Sequence, residues 1–249
     1  MKRLEIGRLP QLPFDMTEAL NQLRVNLSFC GDSVKTIMVT SSVPGEGKSF
    51  LVMQLWKMVA ELGIPTLLID CDLRKSEIRN KYNIRSDEAI TGVAHYLAGK
   101  ATLDDATYQT NVPNGYMIPV NATVANPSIL LENDRFGRMI QASRERFGCV
   151  LIDTPPLGSV ADALKSATHC DGTVLVVRSG DTPRKLVEDS VQLLRRTETP
   201  LLGVVLNRAD IGSKSNMYYR RYYRSSYYYN GDSSGQKKHK RSENWREQQ

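Results

Sequence analysis

Apolar and amphipathic segments alternate along the chain up to about Asp210. Short continuous apolar runs, rich in valine, isoleucine and leucine, are typical of strands that are buried on both faces of a sheet. Such runs alternating with helices predict an α/β domain with a doubly wound, mostly parallel sheet and helices on both faces. The predicted strands are Thr36–Ser41, Thr66–Asp70, Cys149–Asp153, Thr173–Val177 and Leu201–Asn207.

The segments between these runs carry the spacing of amphipathic helices. An additional helix is expected near the N-terminus, starting at Asp15 or Thr17, with Glu18 in its first turn, where a carboxylate suits the positive end of the helix dipole. The other clear helices are predicted from about Lys48 to Leu62, from Asn133 to Arg146 and from Pro183 to Arg196.

The chain changes character near Ile211. From Gly212 onward there are nine Lys or Arg and three Asp or Glu, so this segment alone carries the net charge of +6 of the whole chain. A segment so basic, and otherwise rich in serine and glycine, cannot bury enough apolar surface to fold. We therefore predict a domain over residues 1–211 and a disordered tail over residues 212–249. Seven of the 11 tyrosines lie in this tail: Tyr218, Tyr219, Tyr222, Tyr223, Tyr227, Tyr228 and Tyr229.

Targeting and redox signals are absent from the sequence. The opening residues, MKRLEIGRLPQLPFD, lack the apolar core of a signal peptide, and no apolar run approaches the roughly 20 residues that cross a bilayer. The four scattered cysteines predict free thiols in a reducing compartment. We expect a cytoplasmic protein. If it works at a membrane, another protein must hold it there.

The segment SSVPGEGKSF follows the first predicted strand and opens a helix, as a phosphate-binding loop (P-loop) requires. Gly45 and Gly47 allow the backbone to wrap around phosphates, while Lys48 and Ser49 supply the cation and the Mg²⁺-binding hydroxyl. Lys48 is expected to be partly exposed. Ser42 stands where the motif usually has its first glycine. The predicted nucleotide-binding segment comprises Ser42, Val43, Pro44, Gly45, Glu46, Gly47, Lys48, Ser49 and Phe50.

Carboxylates end two other predicted strands. Asp153 follows the apolar run VLI, in the form of a strand-end aspartate that supports a nucleotide-bound metal. Asp70 and Asp72 end the run TLLIDCD, and with that strand beside the P-loop strand both would reach the edge where doubly wound sheets bind ligands. Carboxylates this close repel unless a cation lies between them, so Ser49, Asp70, Asp72 and Asp153 are predicted to hold Mg²⁺ with ATP.

These motifs together resemble the cytoplasmic kinase module of the bacterial tyrosine kinases of capsule and exopolysaccharide systems. SSVPGEGKS resembles the family's phosphate loop, LLIDCDLRKS its second aspartate motif and VLIDTPP its metal-supporting strand. NPSILLENDRFGRMI and GVVLNRAD resemble two further family segments, which makes Asn207 a candidate contact to the adenine base. The resemblance is to the form whose membrane activator is a separate protein.

The resemblance implies a protein-tyrosine kinase of the P-loop NTPase fold. Lys48, Asp70, Asp72 and Asp153 would be its catalytic residues, with Asp70 or Asp72 as the base for the phenol. It also implies a transmembrane adaptor of the polysaccharide co-polymerase type, a cognate tyrosine phosphatase and a ring of subunits at the inner face of the membrane. Glu18 and Arg24 match the family's helix motif for subunit contacts, but Asn21 replaces its middle arginine.

The tyrosine-rich tail can be interpreted as a kinase substrate or as a nucleic-acid binder. As a kinase substrate, it presents its phenols to the ATP site of a neighbouring chain. As a nucleic-acid binder, its arginines and tyrosines would contact phosphates and bases, but no nucleic-acid partner is expected, because only the substrate role uses the ATP site. The main rival is an ATPase switch of the ParA/MinD type, which carries a signature lysine where this chain has Val43.

Overall fold

The computed structural model describes residues 2–121, 124, 126–158 and 162–209, with residue 162 described in its backbone alone. The described residues belong to one compact unit. The predicted boundary at Ile211, the tail and its seven tyrosines lie outside the described residues, so these remain predictions.

Nine strands and nine helices lie within the described ranges. The strands are β1 (Arg3–Ile6), β2 (Thr36–Ser41), β3 (Thr66–Asp70), β4 (Ile84–Arg85), β5 (Tyr108–Thr110), β6 (Gly115–Ile118), β7 (Cys149–Asp153), β8 (Gly172–Arg178) and β9 (Leu201–Asn207). The helices are α1 (Phe14–Ser28), α2 (Lys48–Glu61), α3 (Ile78–Lys81), α4 (Val93–Leu97), α5 (Leu103–Ala106), α6 (Pro127–Leu131), α7 (Asp134–Arg146), α8 (Asp162–Ala167) and α9 (Arg184–Arg195).

The strands form one sheet in the order β4-β1-β5-β6-β3-β7-β2-β8-β9. The pairs β1–β4 and β5–β6 are antiparallel and the others are parallel, which confirms the predicted α/β architecture. One expectation is corrected: β3 does not lie beside the P-loop strand β2, because β7 is inserted between them. Parallel strands still end at a common edge, so the carboxylates of β3 and β7 remain on the same side of the sheet as the P-loop.

Alternate residues of the central strands supply the cores on the two faces of the sheet. Ile37 and Val39 of β2 pack with α2 on one face, whereas Met38 packs with α8 and α9 on the other. A third cluster joins β3 and β7 to α4 and α7. Burial on both faces therefore explains the continuous apolar runs of β2, β3, β7 and β8. The expectation is wrong for β9, which lies at the edge of the sheet and exposes Val204 and Leu206.

Trp56 anchors the P-loop helix α2 to the sheet. Its ring is fully buried, and its indole N–H donates to the backbone oxygens of Thr66 and Tyr116, at 3.1 Å each. The ring lies directly against Gly115, where a Cβ would collide with it. Because α2 begins at the P-loop, this packing holds the phosphate-binding end of the helix in place.

All four cysteines are free thiols, as predicted. In the described ranges, no helix combines the length and the apolarity that crossing a bilayer requires.

Candidate active site

The P-loop connects β2 to α2 and is shaped by two glycines. Gly45 has φ of 84° and Gly47 has φ of 94°, a left-handed conformation that side chains with a Cβ rarely adopt. At Gly47 a Cβ would also collide with the Asn207 carboxamide. Gly47 caps α2, and its carbonyl accepts the Leu51 N–H at 2.9 Å, so the first-turn N–H groups of the helix face the loop.

Lys48 and Ser49 meet two strand-end carboxylates. The Lys48 ammonium lies 3.3 Å from Asp72 and 3.5 Å from Asp153, and the Ser49 hydroxyl donates to Asp153 at 2.7 Å. The expectation that Lys48 is partly exposed is wrong: it is only 9% exposed, because the carboxylates draw its side chain into the site.

Asp70 lies directly opposite Asp153 in the pairing of β3 with β7. Its carboxylate accepts the Asp72 N–H at 3.2 Å and the Ser76 hydroxyl. Asp70 is 1% exposed, and the ammonium of Lys48 contacts the other two aspartates instead. Three carboxylates therefore share one lysine at this edge of the sheet.

The electrostatics of the site follow from this imbalance of charge. Burial, followed by the charge of Asp153, holds the pKa of Asp70 well above its ordinary value. Burial also raises the pKa of Asp153, although Lys48 and Ser49 oppose the shift. Burial disfavours the charged form of Lys48, but the charges of Asp153, Asp72 and Asp70 outweigh it and raise the pKa of the ammonium. The site is thus short of positive charge.

This donor set fits a magnesium-bound nucleotide. The residues offer only hard oxygen donors, which Mg²⁺ prefers, and the excess of carboxylates calls for a cation. Across the described residues, no three acidic, histidine or cysteine side chains are arranged as a complete metal site. Mg²⁺ usually uses one or two carboxylates together with phosphate oxygens and waters, so an incomplete protein site suits it. Ser49 and Asp153 would hold the ion, and the first turn of α2 with Lys48 would hold the phosphates.

Three predicted nucleotide-binding residues use their polar groups within the protein. Ser42, which replaces the first glycine of the motif, accepts a hydrogen bond from Ser190 of α9 at 2.9 Å. Glu46 is buried, and its carboxylate accepts the Val43 N–H at 2.8 Å. These contacts fix the shape of the loop, and the nucleotide contacts of its residues remain a prediction.

Asn207, the predicted base contact, lies against the P-loop. Its carboxamide donates to the Glu46 carbonyl at 2.7 Å and accepts the Arg208 N–H at 2.9 Å. Pro44 is exposed at the tip of the loop, and Phe50 lies in α2 with the Lys81 ammonium 5.8 Å from its ring centre. The contact between Asn207 and adenine remains a prediction.

Two other sequence features lie outside this cluster. Arg74, which follows the aspartate motif, donates to Ser128 of α6 at 3.1 Å and so joins the loop after β3 to the NPS segment. Arg24 of α1 donates to Asn21 at 2.8 and 3.1 Å, while Glu18 is exposed. Asn21, which replaces the middle arginine of the family's helix motif, thus holds the side chain of Arg24, the motif's last arginine.

Sequence reasoning missed several side chains that support the site. Ser76 donates to Asp70, and a hydroxyl six residues after a strand-end aspartate was a signal that could have suggested it. Thr182 and Ser190 reach the P-loop across more than 130 residues of sequence, and no local pattern marks them.

Comparison with known proteins agrees with this geometry. Residues 34–180 match the family model described as an AAA domain. The tyrosine-protein kinase CpsD of Streptococcus agalactiae is 37% identical over 212 residues, which are 84% of this chain and 91% of the relative. The kinase domain of the Escherichia coli tyrosine kinase ETK has a TM-score of 0.72 and 27% identity, covering 83% of this chain and 86% of that one. The MinD protein of Pyrococcus horikoshii, with Mg-ADP, has a TM-score of 0.61 and 22% identity over 71% of this chain and 72% of that one, a likeness of fold alone.

Proposed function

The chain belongs to the bacterial tyrosine kinases of the capsule type, and on that premise we propose that it transfers the γ-phosphate of ATP to tyrosines of its own tail. The observation that carries the proposal is the cluster of Lys48, Ser49, Asp72 and Asp153, in which a P-loop cation and hydroxyl meet two strand-end carboxylates. This constellation suits phosphoryl transfer, which depends on alignment and charge neutralisation.

The residues of the chain would divide the work as follows. The first turn of α2 and Lys48 bind the phosphates, while Ser49 and Asp153 hold the metal. When bound, ATP would supply the phosphoryl group and leave as ADP, and Mg²⁺ would neutralise charge on the phosphates. Asp70 or Asp72 accepts the phenol proton as the tyrosine oxygen takes the phosphoryl group. Because Asp70 is buried, the acceptor must come to the edge of the sheet at which both aspartates lie.

The proposed acceptors are the seven tail tyrosines, from Tyr218 to Tyr229, modified in trans within an oligomer. In an oligomer, a tail can enter a neighbour's site without doubling back over its own domain. Unmodified, the tail carries a charge of +6. Each phosphotyrosine adds about −1.5 to −2 charges, so three or four of them cancel the charge of the tail.

The proposed setting is the inner face of the cell membrane, where the chain regulates capsular or exopolysaccharide synthesis and export. We propose that a transmembrane adaptor of the polysaccharide co-polymerase type recruits and activates it, and that a cognate tyrosine phosphatase resets it. The family resemblance supports both partners. Strong stimulation of the purified chain by the cytoplasmic C-terminal segment of the adaptor is expected, and full activity without it would contradict the activator role.

The test of the kinase itself is incubation of the purified chain with Mg²⁺ and ATP, followed by mapping of phosphorylated residues. We expect phosphotyrosine within residues 218–229. An ATPase switch of the ParA/MinD type would instead hydrolyse ATP to ADP and phosphate and leave every tyrosine unmodified. That outcome would overturn the kinase assignment while leaving nucleotide binding in place.

A further inference from the structure

Glu46 presents a physical problem, because it places a carboxylate inside a loop that binds anions. The residue is 1% exposed. A buried carboxylate loses its hydration and needs other partners in return. It also repels the phosphates that the loop is built to hold. Charge therefore disfavours direct contact between this carboxylate and phosphate, which points to a different role for the side chain.

The partners of Glu46 are neutral donors that surround both carboxylate oxygens. Oε2 accepts the Val43 N–H at 2.8 Å. Oε1 accepts the Arg178 N–H at 3.1 Å and also the Thr182 hydroxyl. In the described part of the chain, no lysine or arginine forms an ion pair with Glu46. The carboxylate is thus stabilised by aimed hydrogen bonds instead of a countercharge, and hydrogen bonds to an ionised acceptor are about twice as strong as neutral ones.

The hydrogen bonds of Glu46 close the P-loop upon itself and tie it to two strands, β8 and β9. Val43 follows β2, so its bond with Glu46 closes the loop upon itself. Arg178 ends β8 and Thr182 follows it, so the second oxygen fixes the loop to that strand. Asn207 ends β9 and donates to the Glu46 carbonyl at 2.7 Å. The shape of the loop is therefore held by contacts within the protein, none of which involves a phosphate.

We infer that Glu46 is a positioning residue that pre-shapes the P-loop for nucleotide phosphates through Val43, Arg178 and Thr182. The inference rests on the proposed function and deepens it. Pre-organisation raises affinity because the ligand no longer has to order the loop. A Glu46→Gln variant keeps the shape of the side chain but replaces one acceptor oxygen with an N–H₂ donor. Because a backbone N–H points at each carboxylate oxygen, the new N–H₂ group must face a donor in either orientation, and one hydrogen bond is lost.

The experiment measures the Kd for Mg–ADP by calorimetry and the KM and kcat for ATP, on the full chain. Glu46→Gln is expected to raise the Kd and the KM by about ten- to a hundred-fold, the range expected from losing a charge-assisted hydrogen bond. The kcat at saturating ATP is expected to change much less. Thr182→Val should also raise the Kd for Mg–ADP. Thr182→Ser keeps the hydroxyl, so its Kd should stay close to that of the wild type.

Asp171→Asn is the matched control. The Asp171 carboxylate also accepts two backbone N–H groups and a threonine hydroxyl, from Lys35 and Thr36, but at the opposite edge of the sheet. This variant makes the same change of charge and should lower stability without changing the Kd for Mg–ADP. A Kd that rises equally in Asp171→Asn and Glu46→Gln would mean that general destabilisation explains the effect, and it would overturn the inference.

The outcomes separate this inference from the proposed function. If the wild-type chain binds nucleotide and phosphorylates tyrosine, but Glu46→Gln binds Mg–ADP with wild-type affinity, only the positioning role is wrong. If the wild-type chain binds no nucleotide, the proposed function fails and the inference fails with it. Should Glu46→Gln not fold, the Thr182 pair decides: equal affinities for Thr182→Val and Thr182→Ser would overturn the role.

Discussion

The Ser49 hydroxyl and the Asp153 carboxylate, which belong to α2 and β7, are joined by a hydrogen bond of 2.7 Å. Both residues are proposed metal ligands, and this hydrogen bond holds the two halves of the site face to face. The contact depends on β7 lying next to β2, which brings the end of one strand beside the loop that leaves the other.

Removal of the Ser49 hydroxyl should raise the magnesium requirement of the kinase. In Ser49→Ala the ion would lose one protein oxygen while Asp153 remains. We expect the Mg²⁺ concentration for half-maximal autophosphorylation to rise by about ten-fold, with the protein still folded, and chelation with EDTA to abolish activity in both forms. A magnesium titration of phosphotyrosine formation measures this. Ser49→Thr keeps the hydroxyl and is the control; an unchanged titration in Ser49→Ala would remove Ser49 from the site.

Lys48→Met should abolish phosphorylation while the domain stays folded. The variant deletes the charge that binds phosphate and also leaves Asp72 and Asp153 without their cation. Burial, followed by the charge of Asp153, raises the pKa of the neighbouring Asp70 to about 8. This third carboxylate therefore ionises as the pH rises from 6 to 8, and the loss in melting temperature should be larger at pH 8. Phosphotyrosine blots and thermal melts at the two pH values measure both effects.

Lys48→Arg is the matched control for this variant. It keeps the positive charge but presents a planar group in place of a compact ammonium. We expect stability close to wild type and phosphorylation well below it. Autophosphorylation at the wild-type level in Lys48→Met would contradict the assignment of the P-loop.

Local sequence signals predicted the strands that carry the site. β2, β3, β7 and β9 have the predicted bounds, because each reads as a continuous apolar run. For β2, β3 and β7 that run reflects burial on both faces, whereas β9 is an edge strand on which Val204 and Leu206 are exposed. The strands β1, β4, β5 and β6 were not predicted, since they are two to four residues long and carry no such run. The order of the strands depends on long-range pairing, which local sequence patterns do not report. The position of β7 between β2 and β3 is therefore known only from the structure.

The residues that meet at the site were predicted more fully than the contacts that support them. Lys48, Ser49, Asp72 and Asp153 meet as the motifs indicated, because the P-loop that follows β2 lies at the same edge of the sheet as the carboxyl ends of β3 and β7. The exposure of Lys48 was predicted wrongly, because no local pattern reports how far a side chain is drawn toward carboxylates on other strands. The roles of Glu46 and Thr182 depend on the same kind of long-range contact.

Asp171→Asn should destabilise the domain in a pH-dependent manner. Burial would raise the pKa of Asp171, but hydrogen bonds from Thr36, Lys35 and Arg144 outweigh it and hold the pKa below its ordinary value. A carboxyl with a depressed folded pKa contributes stability above its unfolded pKa, and this stability is lost as the pH falls through the folded pKa. We expect a loss of about 1–3 kcal/mol at pH 7, which shrinks below about pH 4, near the unfolded pKa of an aspartate.

Urea denaturation of the wild type and of Asp171→Asn at pH 7 and at pH 3.5 measures this difference. Glu188→Gln is the control, because Glu188 pairs with Arg184 on an exposed face of α9. Exposed pairs of this kind contribute little, so that variant should match the wild type at both pH values. An equal loss at the two pH values in Asp171→Asn would contradict the role of its charge.

Transfer to the tail should occur in trans. Two chains are mixed with Mg²⁺ and ATP: Lys48→Met with its tail intact, and an active chain truncated after Ile211. The only tail tyrosines in the mixture then belong to a chain that cannot phosphorylate itself, so phosphotyrosine within residues 218–229 requires a second molecule. We expect that modification to appear, at a rate that rises with the concentration of the truncated chain. Unmodified tyrosines would contradict transfer in trans.

Phosphorylation of the tail should also loosen the assembly. Seven phosphotyrosines would add roughly −10 to −14 charges to a tail of +6, leaving it strongly acidic. The site of a neighbouring chain holds three carboxylates and one lysine, so it would attract the basic tail and repel the acidic, phosphorylated tail.

We expect the unmodified chain to sediment with its adaptor as a larger species than the fully phosphorylated chain, and phosphatase treatment to restore the larger species. The difference should narrow at high salt, because screening weakens the repulsion. Identical sedimentation of the two forms at low salt would contradict the switch and leave the kinase assignment intact.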